Sequence, residues 1–300
     1  SKEDRKKLVI CGISAGFASV FGTPIAGAIF GVEVLFMGNI LYSVLLPSFI
    51  SGMVSFQVSA LLGIEYHYFN LPVDIQFDPK FFMIIIIAGI FFGLVSFVFI
   101  ETLKQTEKLA DKIKIWAPLK GLIGGGLLIL LALVFSTDYL GLGIPTINKA
   151  LNGENIIIYA FIIKMIATAI TLGFGGSGGV LTPIFFIGAT SGIAFASIAG
   201  LNPAQFAAFG VVGVLAGAAN TPLAACILAV ELFGPTLAPY ATITCIISFL
   251  MTGYRSIFPS QVLSSQKSQS LIVTTGDEVE DGKTRYEYKT KKIMASSRYY

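Results

Sequence analysis

Residues 171–200 read TLGFGGSGGVLTPIFFIGATSGIAFASIAG, and what could do chemistry there is main chain rather than side chain. Gly175, Gly176, Gly178 and Gly179 leave the backbone uncovered, and Pro183 marks the first turn of a helix that continues from 184 to 199. A helix that starts inside an apolar medium leaves its first N–H groups unpaired and carries a partial positive charge at that end. An anion satisfies both. Two other readings compete. Glycines let helices pack closely in bilayers. A nucleotide loop would need Gly-Lys-Ser/Thr, which does not follow. The absence of Lys and Arg from 165 to 254 favours the anion, because amides without a full cation replace hydration yet let the ion leave.

Side chains suited to chemistry are few. Glu33 is the only acidic or basic residue between 8 and 64, and Glu231 the only one between 165 and 254. Ionisable groups in apolar runs are functional by default, although capping or interhelical pairing accounts for both equally well. His67 lies in a polar loop, and Cys11, Cys226 and Cys245 sit in apolar runs, where a packed thiol is expected. No nucleophile with its base and no set of metal ligands occupies the apolar runs, which argues against an enzyme and against a resident metal or cofactor.

The elements that must position these residues are those of a polytopic membrane protein. In 300 residues, 55% hydrophobic and 12% charged with a mean hydropathy of +0.81, there is too little polarity for a water-solvated globule. A net charge of +3, from scattered Lys and Arg, offers no nucleic-acid surface. A bilayer span takes about 20 apolar residues, and residues 41–63, 81–100, 119–135 and 236–253 qualify. Residues 8–37 and 206–233 are each split by Thr-Pro, at 23/24 and 221/222, which predicts a pair of shorter helices in each. Broken helices at membrane depth line sites. Lys and Arg gather in 2–7, in 104–120 and after 255, whereas 65–79 carries Glu65, Asp74 and Asp78 with neither. The positive-inside rule puts the first three in the cytoplasm and the loop outside.

Residues 12–35 (GISAGFASVFGTPIAGAIFGVEVL) align without gaps on 210–233 (GVVGVLAGAANTPLAACILAVELF), with eight of 24 positions identical, including both Thr-Pro pairs and both glutamates. Chance similarity between Ala/Gly/Val-rich helices is the plain explanation. Duplication, with a site at the repeat interface, is the other. At an offset of 198 the glycine-rich element 173–183 would map before residue 1. The first half is therefore expected to lack about five or six helices of the parent protein.

With these residues in view, the chain resembles the CLC family of chloride channels and proton/chloride antiporters from about residue 6 to 265. Gly179-Val180-Leu181-Thr182-Pro183 is similar to the family's GxFxP motif, and the Thr-Pro repeats are similar to two of its helix pairs. The resemblance implies a homodimer with one pore per subunit, two inverted halves in each, and chloride as the transported ligand. It places the amides of Val180 and Leu181 at the anion, with Leu181 replacing the usual Phe. A family tyrosine near the last helix would correspond to Phe258 by local pattern, or to Tyr254 if the hydroxyl is retained. The choice stays open, with lipid-facing packing as the alternative for either. The inner proton-transferring glutamate of the antiporters would fall at Val34, which favours passive conduction or another proton route. Gly141-Leu142-Gly143-Ile144-Pro145 superficially resembles the family's serine-bearing segment but has no hydroxyl at Leu142, and it is not assigned to the anion.

The expected fold is therefore all-α, a polytopic membrane protein of tilted and broken helices in an inverted-repeat arrangement with its first helices missing. Residues 1–37 would end the first repeat, 38–64 form a membrane helix at a dimer interface, and 65–79 an extracellular loop. Residues 80–265 would form the second repeat and last helix, with the anion segment at 173–200, and 266–300 a polar cytoplasmic tail. The expected function is chloride transport, as channel or proton-coupled antiporter, in a multi-pass protein of the cell membrane that binds lipid and no nucleic acid. A cation-coupled symporter of a small organic anion shares the broken helices, but would need polar side chains near the break, where 173–189 offers only Ser177 and Thr182.

Overall fold

The computed structural model of the protein describes residues 2–38, 40–69, 71 and 78–264; the tail 266–300 and Asp74 of the outer loop lie outside them. The described chain is helical almost throughout. In order run α1 (Lys2–Phe21), α2 (Pro24–Glu33), α3 (Tyr42–Leu61), α4 (Pro79–Lys112), α5 (Ala117–Val134), α6 (Ile144–Leu151), α7 (Ala160–Gly173), α8 (Leu181–Ala199), α9 (Pro203–Ala219), α10 (Pro222–Phe233) and α11 (Ala238–Met251). Pro stands in the opening positions of α2, α4, α5, α6, α9, α10 and α11, where its missing N–H costs nothing.

Both Thr-Pro breaks are realised. Gly22 and Asn220 occupy the same repeat position, and both adopt left-handed backbone, at φ 70° and 56°. Gly has no Cβ to clash there and Asn tolerates the region, so an apparent mismatch between the repeats is one conformation written two ways. Each turn delivers a Pro-initiated helix, α2 or α10, and these two pack on each other.

At the centre lies α9, buried at every residue from 206 to 219, as a helix apolar on all sides should be. Its main chain meets that of α8 with no side chain between. A Cβ on Gly188 would lie 2.5 Å from Gly210 O, and one on Gly210 would strike Gly188 O. Serines stitch the first repeat to α3: Ser14 and Ser48 share a hydrogen bond of 2.5 Å, Ser48 donates to Ala28 O at 2.9 Å, and Ser51 donates to Cys11 O at 2.8 Å. Small and hydroxylated contacts of this kind are how helices associate where lipid is as apolar as leucine.

The periphery is apolar. Leu46 of α3 is 70% exposed and Leu133 of α5 is 80% exposed, which water would not tolerate over whole helix faces. Among the described residues, α3, α4, α5 and α8 are long and apolar enough to cross a membrane. After α11, which falls within the expected span 236–253, the described chain forms turns and a short strand β2 (Val262–Leu263), paired in parallel with β1 (Phe36–Met37). Gly253 turns left-handed at φ 61° and Pro259 lacks an N–H, and both interrupt a helical ladder.

Candidate functional site

The glycine-rich element divides by physical role. A Cβ at Gly176 would sit 2.6 Å from Thr171 O, so close packing on α7 requires that glycine. A Cβ at Gly179 would meet nothing within 4 Å, and the backbone there is bare for another reason. Helix α8 follows at Leu181 with Val180 as N-cap, and no side chain caps it. Its first i→i−4 bond runs from Ile184 N to Val180 O at 3.0 Å. The amides of Val180, Leu181 and Thr182 precede that bond and, among the described residues, have no protein acceptor.

These amides border a cavity of about 770 Å³ walled by Gly179, Val180 and Leu181, by Phe17 of α1, by Phe30 beside Val34, and by Phe258. Of the two aromatic candidates, Phe258 is the one that borders this cavity. Tyr254, four residues earlier, is buried outside its walls. Val34 does reach the cavity, so an aliphatic group stands where the resemblance puts a proton-transferring carboxylate.

The glutamates do something else. Glu33 accepts from Leu223 N at 3.1 Å and Ala224 N at 2.8 Å, the opening amides of α10. Glu231 accepts from Ile25 N at 3.0 Å and Ala26 N at 2.7 Å, the opening amides of α2. Of the readings left open by sequence, capping is the one the geometry supplies. Of these three helix starts, those of α2 and α10 are closed by carboxylates, and that of α8 is left open to the cavity.

Phe258 sits on a firmly tied segment. Gln261, 1% exposed, donates to Val34 O at 2.9 Å and Ala219 O at 3.2 Å and accepts from Asn220 Nδ2 at 3.2 Å. One carboxamide therefore binds the C-terminal ends of α2 and α9 to the stretch bearing the cavity's aromatic wall. Nothing in the local sequence around Gln261 announces this.

Lys164 is the other residue missed from sequence. The cation-free run begins at 165, and one residue before it a 2%-exposed ammonium donates to Tyr139 O at 3.1 Å and Gly141 O at 2.6 Å. It borders a second cavity of about 360 Å³ that shares Gly178 and Gly179 with the first. A lone lysine in the apolar run 160–173 was the available signal.

A family model described as voltage gated chloride channel matches residues 1–253. The chain is 38% identical over 274 residues to a chloride/fluoride channel protein of Pseudomonas syringae pv. tomato, covering 89% of this chain and 60% of that one. Among solved structures, a CLC-type fluoride/proton antiporter superposes with a TM-score of 0.82 at 30% identity, over 85% of this chain and 65% of the other. A slow cyanobacterial Cl−/H+ antiporter superposes with a TM-score of 0.67 at 21% identity, over 84% and 62%, which speaks to fold alone. The chain spans less than two thirds of the length of each of these relatives.

Proposed function

This chain belongs to the voltage gated chloride channel family, and from that premise we propose that it serves transport of a monovalent halide across a membrane, with the ion resting on the amides of Val180 and Leu181. The observation that carries this is the uncapped first turn of α8 opening on a cavity, in a molecule whose two Thr-Pro helices are closed by carboxylates. Amide donors and a helix dipole hold a dehydrated anion weakly enough for it to move on. Phe258 is proposed as the inner wall of the ion's resting place.

Chloride is the first ion to test and fluoride the second, since the 38% identical relative is named for both. Val34 at the cavity supports passive conduction over proton coupling. The exposed apolar face of α3 supports a homodimer through that helix, in the cell membrane with the tail 266–300 in the cytoplasm. Apolar walls beside α8 give the organic-anion symporter no foothold.

The test is halide efflux from proteoliposomes holding the protein, with Leu181→Pro and Gly179→Val beside it. Efflux should fall at least about tenfold in both variants. Unchanged efflux in correctly folded variants defeats the proposal. Proton movement driven by a halide gradient would instead mark an antiporter.

A further inference from the structure

Lys164 is a buried cation without a buried anion. Its ammonium spends two of three N–H groups on the carbonyls of Tyr139 and Gly141 and lies 5.1 Å from the centroid of the Phe186 ring. Carbonyl and ring dipoles ease a positive charge but do not neutralise it. Among the described residues no carboxylate pairs with it. Burying an unpaired charge is costly, so such groups ordinarily keep a counter-ion.

The second cavity lies against that charge. Besides Lys164 it is walled by Ser177, Gly178 and Gly179, the bare stretch ahead of α8, and by Leu142 and Thr171. No acidic side chain stands among its walls. The hydroxyls of Thr168 and Thr171 donate back to Lys164 O and Ala167 O, each at 2.8 Å, which leaves the lysine, with the hydroxyls of Tyr139 and Ser177, as the side-chain donors to anything inside. A positively charged chamber of about 360 Å³ has room for a small anion with part of its water.

We propose that this cavity is a second anion site, in which a halide serves as the counter-ion of Lys164, separated from the ion at α8 by the main chain of Gly178 and Gly179. The inference shares with the proposed function the idea that halide enters the protein, but it concerns a different place and a different donor. A full cation beside a row of amides makes a store from which ions pass to weaker ground, since occupancy of one site eases release from its neighbour.

Crystals of the protein grown in bromide decide the matter by anomalous scattering. The expected result is a peak in contact with Lys164 Nζ in addition to one at the first turn of α8, the former lost in Lys164→Met and kept in Lys164→Arg. A peak at α8 alone overturns the second site and leaves the proposed function standing. A peak beside Lys164 alone does the reverse, and no peak at either defeats both. A Lys164→Met protein that keeps the peak also overturns the assignment. Should that variant fail to fold, the wild-type peaks decide.

Discussion

Glu33 and Glu231 each cap the helix that carries the other. Glu33, at the end of α2, closes the start of α10, while Glu231, near the end of α10, closes the start of α2. The exchange is what a two-fold relation between repeats requires: equal residues must make equal contacts in opposite directions. Duplication therefore accounts for the repeat better than chance does.

Removing either carboxylate should loosen the pair without touching the ion. Glu33→Ala or Glu231→Ala leaves two opening amides without an acceptor, and hydrogen bonds to a charged group are worth about 1.5–3 kcal/mol each. A fall in melting temperature in detergent is expected for each variant, with halide efflux per folded molecule kept. Lost efflux at full stability would show that a glutamate serves the ion path.

Thr23 and Thr221, equivalent in the repeats, are fully buried, and neither hydroxyl has a protein partner. An unsatisfied buried hydroxyl costs about 1–3 kcal/mol. Thr23→Val and Thr221→Val should therefore be neutral or raise the melting temperature. A clear drop would reveal a hydrogen bond made by these hydroxyls.

Gln261→Leu should strand the carbonyls of Val34 and Ala219, while the Asn220 amide keeps its bond to Arg255 O, at about 2–3 kcal/mol. The effect would be local. Val262 N, which donates to Leu35 O at 3.0 Å, and Ser264 N, which donates to Met37 O at 3.1 Å, should exchange hydrogen faster while the core of α9 stays protected. Uniform exchange across the molecule would deny Gln261 its tying role.

Two glycines near one another in sequence should answer oppositely to alanine. Gly188→Ala forces a methyl into the main chain of Gly210, and overpacking of this kind costs about 1–3 kcal/mol or more. Gly179→Ala meets open space and should fold as the parent does. Comparing yields of monodisperse protein separates the two; equal yields would contradict the close approach of α8 and α9.

Local grammar made much of this legible in advance. Thr-Pro at 23/24 and 221/222 punctuates helices wherever they lie, and the bare run before Leu181 marks a helix start because glycine and proline act on their own backbone. What depended on partners distant in sequence was not legible. Glu33 reads alike as cap, ion pair or proton carrier until Ala224 is found beside it, 191 residues on. Phe258 and Tyr254 were separable only by which one faces the cavity. The role of Lys164 was not legible either, because its partners, the carbonyls of Tyr139 and Gly141, come from the segment before α7 and no local pattern joins them to it.

The glycine seam between α8 and α9 sets a limit on how the protein can operate. Two backbones in direct touch have no side-chain cushion to shear, and α9 is the most enclosed rod in the molecule, so α8 is bolted to the frame. The anion berth proposed at its tip would then stay fixed during transport. On the proposed reading, opening and closing must fall to side chains around it, and the ring of Phe258, whose backbone is tied to the ends of α2 and α9 through Gln261 and Ile257, could move only by turning about its own side-chain bonds.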